Sequence, residues 1–420
     1  MKKTILKSAV LCASIFGLAL SANAAVINLN LTGASAEYTF WSAAAGPFLT
    51  SLGCTDVKSA KTGKQGITMG TCNSGADTVY VRYASKASYD GIESQKGLDP
   101  FNLTSCTDKS QREFADENQT DFAAGTVNGT TCQQVTLGAS DVAASTFNQA
   151  SSGALYGPLG GDQYAPSFHD LDASGLTSYN PIVVPFSFFK TTDVPANNMT
   201  RLMATQIFGG QVANWSAFNT AWNIPIVACL RHAGSGTHAT LDAAVFRGEA
   251  NMSTKEDTLG LFGPITYFNL GSGDLIKCLE WAHTNGYGGV GYSDVDKVLD
   301  ANGQIITDPA NAVNGVMQMP YNGEQAYKRN IVNGVYSFWS AQWIYEDPCE
   351  TMGPNAPSSC TAGGDIHGVA ANGALHTYIV DMMNFASDPA NIALSGKGDF
   401  WAAQGEMKIN KASDWAWPSR

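Results

Sequence analysis

Charge is scarce in this chain of 420 residues. Only 14% of positions are Asp, Glu, Lys or Arg, and basic residues are the minority, 24 against 36 acidic ones. The resulting net charge of −12 opposes long-range attraction to nucleic acid or anionic lipid. Several reaction signatures are missing as well. There is no GxxxxGK[ST] loop, which excludes a P-loop nucleotide site. There is no H-E-x-x-H and no G-x-S-x-G, which excludes the common zinc-protease and serine-hydrolase patterns. No C-x-x-C occurs, and no His stands at ligand spacing from paired Cys, so neither a metal site nor a cofactor is expected. Internal repeats, heptads and low-complexity tracts are absent. After the N-terminal segment no apolar run reaches the ~18 residues of a membrane span.

What is present points to export. Lys2, Lys3 and Lys7 form a basic start, Ala9 to Leu20 is an apolar run too short to span a bilayer, and Ala22-Asn23-Ala24 is an A-x-A cleavage site. Residues 1–24 read as a signal peptide, with the mature chain starting near Ala25 in the periplasm or outside the cell. Losing three lysines takes the net charge from −12 to −15. Any bound anion then needs a local site rich in backbone donors. Cys54, Cys72, Cys106, Cys132, Cys229, Cys278, Cys349 and Cys360 remain, an even number suited to disulfides in an oxidising compartment. Pairing of neighbours is the simplest of the possible connectivities. Apolar residues make up 44% of the chain, enough for a large core, and its length suits two domains.

Along the chain, strand and helix patterns alternate. Val26–Leu31 reads as a strand, Ala36–Leu52 as a helix, Val79–Tyr83 as a strand, and Ala84–Gly91 as a polar turn. Gly97–Cys132 is polar and reads as a disulfide-clipped insertion. Val135–Gly138 returns to strand, and Ser151–Ser178 reads as a long loop. Ile182–Phe189 fits a buried strand, although Pro185 argues against a fully central one. Thr200–Phe208 reads as a helix ending at Gly209-Gly210, and Ile224–Cys229 as a strand. Thr237–Phe246 reads as a helix, Gly288–Tyr292 as a short strand, and Ser293-Asp294 as the cap of a following helix. Ala374–Phe385 has helical spacing. The order predicts an α/β fold.

Three strand-to-turn junctions carry small polar residues: Thr32–Tyr38, Ala139–Asp141 and Arg231–Thr237. Ligands of open α/β sheets sit beyond the carboxyl ends of strands. The turn Gly234-Ser235-Gly236-Thr237 offers unpaired backbone N–H groups and two hydroxyls at a helix start, where the dipole adds partial positive charge. Arg231 adds a fork of donors suited to a tetrahedral oxyanion. As a plain reading, the same Ser and Thr are helix caps and the Gly residues are turn formers.

These pieces, taken in order, resemble the solute-binding proteins of bacterial phosphate ABC transporters. The motifs are Thr32-Gly33-Ala34-Ser35-Ala36, Leu137-Gly138-Ala139-Ser140-Asp141, Arg231-His232-Ala233-Gly234-Ser235-Gly236-Thr237 and Gly289-Val290-Gly291-Tyr292, together with Ile207 to Trp215. They span roughly residues 27–295. The resemblance implies a two-lobe type II periplasmic-binding-protein fold with two crossover strands. Crossings are expected near Ile182–Phe188 and Gly288–Tyr292. Lobe 1 would comprise 25–181 plus 293–420, with the insertion near 97–132, and lobe 2 would comprise 182–292. It implies capture of phosphate or a similar oxyanion by hinge closure and handover to an ABC permease, without catalysis. Arg231, Ser235, Gly236 and Thr237 match the family's second-lobe ligands. Asp141 matches its first-lobe carboxylate, which accepts the proton of a P–OH group and repels fully ionised sulfate. Ser35, Ala36, Glu37 and Tyr38 fall in the first anion loop, and Ser88 in the position of a loop serine.

Glu37-Tyr38 stands where the family has a Thr-Phe pair. A carboxylate ~4 Å from a dianion costs several kcal/mol at an intermediate dielectric. Three resolutions are open. Glu37 pairs with Arg82 or Lys86 or turns away; an insertion brings Thr39-Phe40 to the site; or the ligand carries donors of its own. Two other functions remain in view. One is a surface-interaction protein that has lost the ligand. The other is a phosphoesterase using Ser235 with His238.

Overall fold

The structure is a computed structural model that describes residues 25–100, 102–148, 151–165, 171–248, 263–352, 355–358, 360 and 373–419. The expected signal peptide, His169 and His367 lie outside the described residues. Strand β1 (Ala25–Gly33) alternates Ile27, Leu29 and Leu31 onto a buried face. Helix α1 (Ser35–Ser51) packs Phe40, Trp41, Phe48 and Leu49 into the same core. Strands β2 (Thr55–Thr62), β3 (Gln65–Cys72) and β4 (Asp77–Ser85) form an antiparallel meander that brings β4 back parallel to β1.

Helix α2 (Ser88–Gln95) begins inside the stretch expected to be a turn. Its Gly91 reads as a breaker in sequence. Here it permits close packing, because a Cβ would stand 2.3 Å from the Ala139 carbonyl oxygen. The insertion holds β5 (Gln111–Ala115), the short pair β6 (Thr120–Asp121) and β7 (Thr126–Val127), and β8 (Thr130–Gln134), which returns antiparallel to β5. It lies across the sheet from α1. Buried Arg82 of β4 reaches into it, donating to the Ala115 carbonyl at 3.0 Å and pairing with Glu117 at 2.8 Å. Strand β9 (Leu137–Ser140) then lies parallel to β1. A hairpin of β10 (Ser151–Ala154) and β11 (Asp162–Ala165) occupies part of the expected loop.

The long strand β12 (Thr177–Thr191) belongs to both halves of the protein. The second half continues with α3 (Arg201–Phe208), β13 (Ile226–Arg231) and α4 (Gly236–Thr240), whose helix runs on through a π-turn at Leu241–Phe246. Next come β14 (Ile265–Asn269), α5 (Ser272–Thr284), β15 (Gly288–Asp294), β16 (Val316–Met319) and α6 (Lys328–Val332). Strand β17 (Trp339–Glu346) returns to the first half. It is followed by α7 (Pro348–Thr351), α8 (Gly373–Ala386), α9 (Pro389–Ile392) and β18 (Ala402–Ala403).

The sheet order is β4-β1-β9-β17-β12 in the first half and β14-β13-β15-β12-β16 in the second. Both halves therefore read second, first, third, an antiparallel strand, fourth. The α/β class and the plan of two lobes with two crossover strands are present. Strand β12 changes partners at Pro185, which faces Trp339 of β17, while Phe186 already pairs with Asp294 of β15. The missing N–H of proline thus falls at the handover between ladders, and the strand stays central. Gly288–Tyr292, expected as the second crossing, lies inside the second half between β13 and β12. The chain goes on through β16 before returning as β17, so the return comes later than residue 293. Pairing partners far apart in sequence leave no local signature of which strand crosses.

One core runs through both halves, with Phe186, Phe188 and Phe338 at the junction. Disulfides join Cys54–Cys72, Cys106–Cys132, Cys229–Cys278 and Cys349–Cys360, each Cys with its neighbour along the chain. Among the described residues, no helix is long and apolar enough to cross a membrane.

Candidate functional site

Parallel strands end together, so β1, β4 and β9 deliver their C-termini to one place, and β13, β14 and β15 deliver theirs to another. These two sets of ends meet. Thr237 Oγ1 donates to Asp141 Oδ2 at 3.2 Å, and the Tyr89 N–H donates to the Gly234 carbonyl at 3.2 Å. Gly236 lies against Asp141 and Ser88 so closely that a Cβ would come within 2.5 Å of both. Ser88 Oγ in turn accepts from the Asp141 N–H at 3.2 Å. Helices α1, α2 and α4 all start here, and none has a side chain capping its first N–H groups. Uncapped helix starts are donor-rich and partially positive.

Arg231 ends β13 and is buried. Its Nε donates to the Asn269 carbonyl at 3.3 Å, Nη1 to Ser272 Oγ at 2.8 Å and Nη2 to the Leu270 carbonyl at 3.1 Å. A guanidinium has five N–H groups, so these bonds aim the fork and leave two donors over. Burial lowers its pKa, while Asp294 and Asp141 favour its charge. Asp141 itself is pushed up to about 7, first by burial and then by Asp294, with Arg231 pulling the other way. Its Oδ1 is buried without a hydrogen-bond partner, and the Gln342 amide lies beside it.

Glu37 occupies the first turn of α1, fully buried, with neither carboxyl oxygen hydrogen-bonded. Burial, then the charge of Asp141, raises its pKa to about 8. Neither proposed cation reaches it, since Arg82 pairs with Glu117 and Lys86 with Glu113 at 3.1 Å. Thr39-Phe40 does not replace it either. Thr39 Oγ1 bonds back to the Ser35 carbonyl, and Phe40 is core.

The expected residues therefore divide. Asp141, Ser88, Gly236, Thr237 and Arg231 come together, with Glu37 facing Asp141 from α1. Ser35 and Ala36 supply the start of α1, and Ser235 the residue before α4. Tyr38 sends its hydroxyl to the Gly63 carbonyl at 2.8 Å, in the hairpin between β2 and β3. Sequence reasoning passed over Tyr292, whose hydroxyl accepts from the Arg231 N–H at 3.2 Å and shares a hydrogen bond of 2.7 Å with His238 Nδ1. It also read Asp294 as a cap. The side chain of Asp294 caps nothing and pairs with Lys297 at 3.2 Å beside Arg231. The Gly-Tyr-Ser-Asp ending of β15 was the available signal.

A Ser235–His238 nucleophile pair is not formed. His238 spends Nδ1 on Tyr292, its Nε2 is buried and unpartnered, and burial lowers its pKa to about 3. Such a ring is neutral, but it is not placed to take a proton from Ser235. Among the described residues no group of three or more His, Cys, Asp and Glu is arranged to hold a metal.

No family model matches the chain. Solved structures give similarities at low identity. One is a proposed phosphate ABC transporter substrate-binding protein with bound phosphate from Clostridium perfringens. It is 12% identical, with a TM-score of 0.46, over 90% of this chain and 99% of that one. Another is an ABC-type phosphate transport receptor from Vibrio cholerae, 11% identical, TM-score 0.44, over 88% and 98% of the two chains. A third is a phosphate-binding protein from Stenotrophomonas maltophilia, 13% identical, TM-score 0.40, over 87% and 95%.

Proposed function

We propose that this is an exported solute-binding protein that closes its two halves on phosphate or a closely related oxyanion and presents it to an ABC permease. The observation that carries the reading is the unpartnered, buried Oδ1 of Asp141, set among three uncapped helix starts and the spare donors of Arg231. Such a place needs an occupant with both acceptors and a donor. A protonated phosphate has P–O groups for the N–H donors and a P–OH for Asp141, whereas sulfate at neutral pH has no proton to offer. The acidic surface does not oppose this, because recognition is local and made by backbone and one guanidinium. The site performs no chemistry in this reading. Closure removes the ion from water and opening releases it, a hinge cycle carried by β12 and the return into β17.

A thermal-shift series with phosphate, methylphosphonate, arsenate and sulfate tests the class of ligand. Stabilisation by the first three and little by sulfate is expected. No shift with any oxyanion would remove the reading and favour a surface-interaction role for the fold.

A further inference from the structure

Glu37 is out of place in an anion site, and its surroundings determine its charge. Both carboxyl oxygens are buried and unpartnered. The groups facing it are few. On its own helix there is the Trp41 indole, four residues on. From β4 there is Tyr83, whose hydroxyl donates to the Ala34 carbonyl at 2.6 Å. From the end of β9 there is Asp141, with Arg231 and Asp294 beyond it. Arg82 of β4 and Lys86 just after that strand are held by other carboxylates. A buried carboxylate with no cation, and with only the Trp41 indole N–H as a donor to favour its charge, is disfavoured and keeps its proton instead.

Two carboxyls share this space, and their environments separate them. Arg231 favours the charge of Asp141 but is no neighbour of Glu37. Asp141 is therefore the one to ionise first, and its charge then helps hold the proton on Glu37.

We propose that Glu37 acts as a neutral, proton-carrying carboxyl that donates a hydrogen bond to an ionised oxygen of the bound oxyanion, while Asp141 accepts the ligand's own P–OH. This rests on the oxyanion reading and specifies it. The site takes a ligand with one protonated and at least one ionised oxygen, and it turns the ligand away once Glu37 loses its proton. Glu37 is then a specificity residue whose donor works only below the pH at which it ionises. Its burial is consistent with that pH lying near 8.

The test is calorimetric titration of inorganic phosphate into the purified full chain from about pH 6 to about pH 9.5, wild type against Glu37→Gln, whose amide is a permanent neutral donor. Comparing two proteins with one ligand cancels the ligand's own ionisation. The expected result is equal affinity at the acid end. Above about pH 8 the wild type then loses roughly tenfold per pH unit relative to the variant. Curves that stay parallel throughout overturn the proposal, and so does a folded Glu37→Gln that no longer binds. Absence of binding by either protein at any pH sinks the oxyanion reading itself. Ligand-free melting of the two proteins separates these failures. A melting difference that grows with pH supports a proton on Glu37, and parallel melting curves overturn it.

Discussion

The hydroxyl of Thr237 donates to Asp141 Oδ2 at 3.2 Å, and this bond joins the second half of the protein to the first. It uses one oxygen of the carboxyl and leaves Oδ1 buried without a partner. In the proposed function, closure and recognition therefore meet on a single side chain. A change that keeps the halves apart should abolish binding without touching any ligand donor.

Gly236 provides that change. A Cβ at this position would stand 2.5 Å from the Asp141 Cβ and from Ser88 Oγ. Gly236→Ala is expected to weaken phosphate binding at least tenfold in calorimetry. Its unfolding free energy should move by no more than about 1 kcal/mol, because alanine also favours the helix it enters.

Stability without ligand should fall as pH rises. Burial, and then the charge of Asp141, push the Glu37 carboxyl up to about 8, well above the ordinary carboxyl range. A raised carboxyl pKa means that the native state holds a proton that the unfolded chain releases. Stability is fully present below the unfolded value and is lost as pH climbs through the folded one. The melting temperature should drop by several degrees between about pH 5 and about pH 9, and Glu37→Gln should flatten that drop. Differential scanning calorimetry across the range decides it.

The Cys229–Cys278 bridge ties β13 to α5, just behind Arg231, and closes a sequence separation of 49. Replacing both cysteines by alanine should cost about 2–5 kcal/mol in denaturant unfolding. Near-normal phosphate affinity should remain below the transition, since neither sulfur faces the site.

Asp414 fastens the C-terminal segment to the first half. It accepts from the Ala143 N–H at 2.8 Å, Thr146 Oγ1 at 2.7 Å and Ser340 Oγ at 3.2 Å. The same segment reaches the second half, where Arg247 donates to the Trp415 carbonyl at 3.0 Å and covers the Trp417 ring at 3.4 Å. Asp414→Ala leaves three donors unmatched and should destabilise by about 2–3 kcal/mol in urea. Phosphate affinity should weaken with it, because the strap holds both halves.

Much of the fold was legible in the sequence. The alternation of β1, the buried run of β12 and the Gly-Ser-Gly-Thr turn each follow from local physics. The start of α2 was hidden because Gly91 looks like a breaker until the carbonyl of Ala139 stands against it. The true return into β17 was hidden because its partners β9 and β12 lie far away in sequence, so Gly288–Tyr292 looked equally able to cross. Motif order singled out Arg231, Thr237 and Asp141, which the structure brings together. Asp294 was missed although it ends the Gly-Tyr-Ser-Asp stretch of β15, since a carboxylate after a serine at a strand end reads as a cap until Arg231 is seen beside it. Glu37 was noticed as an anomaly, but its burial and lack of partners are facts of packing that no spacing reveals.

The most direct test is calorimetric titration of phosphate into the purified protein at neutral pH, beside Arg231→Ala and Asp141→Asn. Saturable one-to-one binding is predicted for the unaltered chain, with Arg231→Ala losing it and Asp141→Asn losing its preference for phosphate over sulfate. No heat from phosphate, phosphonate or arsenate would contradict the account, as would binding that both substitutions leave unchanged.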